Sequence, residues 1–140
     1  MEKLVWDDRF SVGVPEFDEQ HRKLADLINQ LLDCVGQPAH SDAVADVLHA
    51  LSEYASTHFE AEETLLERLA YPELEGQWKD HTEFCEAVAN ACYDASCNSA
   101  DLPALLAYLT HWWTDHILRL DMRYRPFVAA RLGLPANPGA

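Results

Sequence analysis

The 140-residue chain reads as an all-α protein, an up-down-up-down four-helix bundle with an N-terminal arm and a short C-terminal helical extension. Three observations predict this. Apolar residues recur at i, i+3, i+4 and i+7 in four separate stretches. Gly, Pro, Ser and Asp punctuate the gaps between those stretches. No stretch alternates apolar and polar residues as a half-buried strand would.

Residues 1–17 read as an irregular arm. Trp6, Phe10, Val12, Val14 and Phe17 are apolar, while Gly13 and Pro15 interrupt any period. The first helix is expected to start near Asp18, a residue suited to capping, and to end at Gly36-Gln37-Pro38. Its stripe is Leu24, Leu27, Ile28, Leu31, Leu32 and Val35, and His21 continues it one turn earlier. The second helix starts near Ser41-Asp42 and runs to about Leu69. Val44, Val47, Leu48, Leu51, Ala55, His58 and Glu62 lie along one face. Tyr71-Pro72 makes a turn, with Pro72 near the first position of a third helix. Gln77, His81, Phe84, Cys85, Val88 and Cys92 form the inner face of that helix, which fades into a polar loop over 94–99. The fourth helix opens with Asp101 as cap and Pro103 in its first turn. Leu105, Leu109, Trp112, Trp113 and His116 form its stripe. Pro126 limits its extent, a short helical piece is expected over 126–132, and 133–140 is expected to be a flexible tail. The whole reads as one domain spanning 1–140.

Composition narrows function. Ten basic residues against 24 acidic ones give a formal charge of −14. Nucleic acids and anionic membranes need a basic surface, so neither is an expected partner. No apolar run approaches the ~20 residues that span a bilayer. The first residues lack a basic start followed by an apolar block, so no secretory signal is read there. A cytoplasmic location and a monomer with polar outer faces are the expectations. Cys34, Cys85, Cys92 and Cys97 form no CxxC or CxxCH pattern and read as free thiols.

The chemistry begins at His58 and Glu62. Four residues apart on a helix, they share one face. Alone, such a pair is an ordinary solvated helix pair. Depth along the bundle changes that. His21 stands 15 residues before Gly36, His58 stands 17 after Ser41, His81 stands 15 before Ser96, and His116 stands 14 after Leu102. In an antiparallel bundle with a rise of ~1.5 Å per residue, all four fall within about one turn of one level. Glu62 joins this layer. Asp121 follows His116 by five residues, which on an ideal helix leaves it about 140° away. Both can face inward only if the helix loosens there, by a π-type turn. Four imidazoles and two carboxylates exceed what one structural zinc takes and suit two irons bridged by carboxylates. No histidine has a glutamate three residues before it, which disfavours the ferritin-like di-iron pattern. His111, His40 and His49 read as peripheral. Cys85 shares a stripe with His81 and reads as packing.

With these residues in hand, the chain resembles the hemerythrins, and most closely the bacterial single-domain ones. The resemblance covers nearly the whole chain. It rests on Trp6 and Val12-Gly13, Asp18-Glu19-Gln20-His21, His58-Phe59 with Glu62-Glu63, Tyr71-Pro72, and His116 with Asp121. It implies a non-haem di-iron centre, oxo- or hydroxo-bridged, that binds O2 reversibly. By the same resemblance, His21 and His58 would ligate the iron with the open position, Glu62 and Asp121 would bridge, and His81 and His116 would hold the second iron. The family's fifth histidine falls four residues before His81, where this chain has Gln77. Either Gln77 binds through its amide oxygen, or a water takes its place, or the second site is weakened. Trp112, Trp113, Leu24, Phe59 and Ile117 are the residues expected to shield the site, in addition to ordinary packing. Three functions follow as alternatives: an O2 carrier, store or sensor; a redox enzyme acting on peroxide or nitric oxide at the Gln77 iron; or a partly occupied or metal-free helical module.

Overall fold

The computed structural model describes residues 2–135. They form a short 3-10 turn at Asp8–Phe10 and helices α1 (Pro15–Asp33), α2 (Asp42–Arg68), α3 (Leu74–Ser96) and α4 (Leu102–Asp115). A π-helical segment, His116–Asp121, then leads without a break into α5 (Met122–Leu132). No strand occurs among the described residues. α2 packs against both α1 and α3, and α4 closes the bundle against α1 and α3.

The helix ends show which local signals acted. α1 starts three residues before the expected Asp18, at Pro15, whose fixed φ suits a first helical position. Asp18 is not its cap. Its carboxylate instead accepts from the Val12 backbone N–H at 2.8 Å and the Ser11 hydroxyl at 2.6 Å, tying the arm to the helix. α1 also ends at Asp33, ahead of Gly36. Ser41 and Asp101 cap as expected, accepting from the N–H groups of Val44 and Ala104. α2 closes with Ala70 left-handed at φ 57° and the Tyr71 N–H on the Leu66 carbonyl. That closure takes up Tyr71 and Pro72, so α3 starts at Leu74 and not at Pro72.

The inner face of α3 differs from the expected one in two positions. Phe84, Val88, Ala91 and Ala95 are buried, while Cys85 and Cys92 lie half-buried at its edge. On α4, Leu102, Leu106, Leu109, Trp112 and Trp113 are buried, and Leu105 is only half-buried. α5 starts at Met122, four residues before the expected piece, and carries Pro126 inside it. Gly133, left-handed at φ 68°, caps it, and the Leu134 N–H bonds the Ala129 carbonyl. The expected flexible tail therefore opens with two hydrogen-bonded residues; 136–140 lie outside the described residues.

The arm is packed onto the bundle. Phe10 lies 4.7 Å from Trp113 between ring centroids, and Trp6 lies 5.8 Å from Phe10. Arg22 sits 4.9 Å over the Trp6 ring. Asn29 exchanges two hydrogen bonds with the Leu4 backbone, and the Arg125 guanidinium donates to the Ser11 carbonyl at 2.7 Å. The four cysteines are free. No helix is long and apolar enough to cross a membrane.

Candidate metal centre

The bundle brings His21 from α1, His58 and Glu62 from α2, Gln77 and His81 from α3, and His116 and Asp121 from the π segment into one layer. All seven are 2% exposed or less. His40, His49 and His111 are exposed and lie apart from it. Burial of so many polar groups is costly unless each has a partner. The way they are partnered, and the way they are not, defines the site.

Glu62 lies at the centre. Its carboxylate oxygens come within 3.5 Å of His21 Nε2, 3.6 Å of His58 Nε2 and 3.1 Å of His81 Nε2. Asp121 comes within 3.2 Å of His21 Nε2 and 3.0 Å of His116 Nε2. Both carboxylates thus span from the α1 side of the layer to the α3 side. The π segment makes this possible. Its i→i+5 turns bring residue five back to the face that residue four would occupy on an α-helix.

Outer partners set the direction of three rings. His58 Nδ1 pairs with Gln20 Oε1, His81 Nδ1 with Glu63 Oε2 at 2.7 Å, and His116 Nδ1 with Asp80 Oδ2. Each of these oxygens accepts at Nδ1 and so directs Nε2 into the layer, the orientation a metal needs. Tyr124 donates to Glu62 Oε2 at 2.7 Å and fixes that carboxylate in turn. Gln20, Glu63, Asp80 and Tyr124 were not singled out as site residues from sequence. Glu63 follows Glu62, Asp80 precedes His81 and Gln20 precedes His21, but these pairs cross between helices and leave no spacing pattern within one helix.

The charge balance points the same way. Burial works against a charged His21, yet the Asp121 and Glu62 carboxylates outweigh it and push His21 up to about 9. Burial likewise opposes a charged His116, but Asp121 and Asp80 push it up to about 10. His81 is raised against its burial by Glu62 and Glu63. His58 is the exception, with burial lowering it to about 3. Burial would raise Glu62, but the surrounding imidazoles hold it well below the usual carboxylate range. Asp121 is also held low, by His116 and His21 against burial and the Glu62 charge. Two buried carboxylates are therefore balanced by protons on imidazoles, a role that a cation fills better.

Several buried atoms have no hydrogen-bond partner: both ring nitrogens of His21, and the oxygens Glu62 Oε1, Gln77 Oε1 and Asp121 Oδ2. The three oxygens are buried lone-pair donors left without a hydrogen-bond partner, and His21 Nε2 lies within reach of both carboxylates, which fits a metal. Two overlapping groups have the reach to hold an ion: His21, His58 and Glu62, and Glu62, His81 and His116. Glu62 belongs to both. Gln77 takes a different part. Its amide Nε2 donates to Asp121 Oδ1 at 3.0 Å, where an imidazole would offer a lone pair.

Aromatic rings seal the layer. Phe59 stacks on His81 with centroids 4.0 Å apart, and Trp112 stacks on His116 at 4.3 Å. Phe17 presents its edge to His58 at 6.0 Å. Leu24 and Ile117 are buried nearby in the core. Trp113 serves another purpose: its indole N–H donates to the His21 carbonyl at 3.0 Å, and its ring packs under the arm.

A four-helix bundle with a sealed layer of imidazoles shared between two carboxylates defines a buried metal-binding helical protein. The comparisons make the class specific. Residues 12–128 match the family described as the hemerythrin HHE cation binding domain, and the chain belongs to that family. It is 31% identical over 124 residues to a bacteriohemerythrin of Pseudomonas aeruginosa, covering 89% of this chain and 80% of the relative. A bacteriohemerythrin of Stenotrophomonas maltophilia is 30% identical, with 94% and 86% covered. The crystal structure of a wild-type hemerythrin matches the fold with a TM-score of 0.83 at 23% identity, covering 91% of this chain and 99% of that one.

Proposed function

We propose that the chain is a non-haem di-iron protein that binds O2 reversibly, as carrier, store or sensor. The observation that carries this reading is the sharing of Glu62 between two groups of imidazoles whose Nε2 atoms face one another. His21 and His58 would hold one iron, His81 and His116 the other, with Glu62 and Asp121 as bridges. Gln77 would stand beside the second iron. When bound, such a pair supplies two electrons for O2 capture. The chain's own part is to orient and to exclude. Gln20, Glu63 and Asp80 hold each Nδ1 and aim each Nε2 inward. Tyr124 holds Glu62 against rotation. Phe59, Trp112 and Phe17 pack their rings against His81, His116 and His58, which would limit the water that reaches those rings.

One observation favours a second reading, a redox enzyme acting on peroxide or nitric oxide. Gln77 gives the His81/His116 group one imidazole fewer than the family pattern, which leaves room there for a further ligand. Anaerobic iron loading followed by O2 separates the readings. Two irons per chain and a spectrum that returns on removing O2 support binding. Rapid conversion to a stable oxidised form, with turnover of added peroxide, supports the enzyme. Less than one iron per chain in protein made with ample iron would overturn both.

A further inference from the structure

Beside Gln77, outside the sealed layer, lies a cavity of about 260 Å³ lined by Tyr71, Glu73, Gly76, Gln77, Leu120 and Arg123. It sits where α3 begins and the π segment ends. Its outer rim is polar and exposed. Arg123 pairs with Glu73 at 3.5 Å, and the Tyr71 hydroxyl donates to the same carboxylate at 3.1 Å. Its inner wall is Gln77, only 1% exposed. Behind that wall stand Asp121 and the His81/His116 group.

We infer that this cavity is a port for small neutral ligands to the metal layer, with the Gln77 side chain as its inner gate. Three observations carry the inference. Gln77 is held on the inside by a single hydrogen bond, from Nε2 to Asp121 Oδ1. Its Oε1 is buried with no partner, so swinging the amide outward breaks one bond and gives a stranded acceptor access to water. An imidazole at this position would be anchored by a metal instead. Gly76 also lines the cavity and places no side chain there. A Cβ added at Gly76 would meet nothing within 4 Å.

The charges select the ligand. Glu73 stands at the rim, with Asp121 and Glu62 behind the gate. The one rim cation, Arg123, is already paired with Glu73. An anion entering here meets carboxylates first. A small uncharged molecule that can donate and accept hydrogen bonds, such as water or hydrogen peroxide, meets no such barrier and can bond the freed amide. A larger cavity of about 610 Å³ between α2 and α3 reaches Phe59 and His81 separately, without touching Gln77. The port serves the half of the site that lacks an imidazole. What it leads to rests on the di-iron reading; the port itself does not.

The test separates the two. In metal-free protein, a Gln77→Cys thiol is treated with neutral methyl methanethiosulfonate, and labelling is read by peptide mass spectrometry, which resolves the native cysteines. A Val88→Cys thiol is the control, because Val88 is fully buried in the core. Buried groups react only through local opening, so the Gln77→Cys thiol is expected to label at least about tenfold faster than the control. Gly76→Leu, which adds a side chain at the cavity lining where a Cβ meets nothing within 4 Å, is expected to remove that advantage. The anionic sulfonatoethyl reagent is expected to label slowly. Equal labelling of both thiols, or no effect of Gly76→Leu, overturns the port; fast anionic labelling overturns its selectivity for neutral ligands.

A second measurement uses iron. Gln77→Ala is expected to lose ferrous iron to a chelator faster than the parent, and millimolar imidazole entering by the port is expected to slow that loss several-fold. Gly76→Leu is expected to abolish the rescue. A parent that binds two irons, with no rescue and no selective labelling, overturns the port and leaves the di-iron reading standing. A parent that takes up no iron removes the reading, and the inference as a port to metal falls with it.

Discussion

Residues at this site act in pairs: one faces inward, and another outside the layer holds it. His116 and Asp80 are such a pair, as are His81 and Glu63. Asp80 is held below the usual carboxylate range, with burial opposed by its bond to His116, so it stays an acceptor. Asp80→Asn keeps the shape but lets the amide donate, which favours the wrong tautomer of His116. Metal affinity is expected to fall by about 10- to 100-fold with the helical content unchanged, measured by competition with a chelator. Gln77→His is expected to act in the other direction, raising iron retention and lengthening the life of the oxygenated form. If that variant matches the parent in both, the missing imidazole does not limit the site. The raised imidazoles predict a pH signature. At pH 7 the metal-free protein holds protons on His21, at about 9, and His116, at about 10. Metal needs both nitrogens bare, so loading is expected to release about two protons per chain, read with an indicator in weak buffer. Metal affinity should rise with pH toward those values. Stability of the metal-free fold has the opposite sign. The contribution of a raised imidazole is full below its unfolded value of about 6.5. It is lost as pH rises through about 9 for His21 and about 10 for His116, which thermal melts of the chelated protein would show.

At the scale of the element, the π segment decides the most. It places Asp121, five residues after His116, on the inward face. Such a segment behaves as one residue inserted into an α-helix. Leu118 lies within it and is 42% exposed. Deleting Leu118 shortens the spacing to four and should leave an ordinary α-helix with the carboxylate still inward. Retained metal binding and an unchanged or higher melting temperature are the expected results. Inserting an alanine after Leu118 adds a second offset of about 100° and should turn the carboxylate away. Loss of metal stoichiometry with retained helical signal is expected there. If the deletion abolishes metal binding as thoroughly as the insertion, the π geometry contributes more than orientation.

Across the whole molecule, the arm and the layer are coupled. Phe10 packs on Trp113, whose indole N–H bonds the His21 carbonyl, so the arm bears on the backbone that carries a candidate ligand. Phe10 is 4% exposed, and Phe10→Ala is expected to destabilise the fold by about 3 kcal/mol. A lower melting temperature, together with faster iron loss, would reveal that coupling. Unchanged iron loss would confine the arm to a packing role.

What the chain determined by itself was everything that depends on position along one helix. Apolar periodicity laid out the bundle, and counting along it put His21, His58, His81 and His116 at one depth with Glu62. The five-residue gap to Asp121 required a π turn, because a backbone cannot rotate a residue inward without changing its hydrogen-bond span. Helix ends were less legible: Pro15 and the left-handed Ala70 moved two starts, since several local signals competed at each. Folding in three dimensions decided what crosses between helices. Gln20 on His58, Glu63 on His81, Asp80 on His116 and Tyr124 on Glu62 are separated by 18 to 62 residues. No period within one helix encodes such pairs; the rotation and height at which two helices meet choose them. The same meeting of α3 with the π segment opened a cavity beside Gln77, where the order of residues shows only a glutamine in place of a histidine.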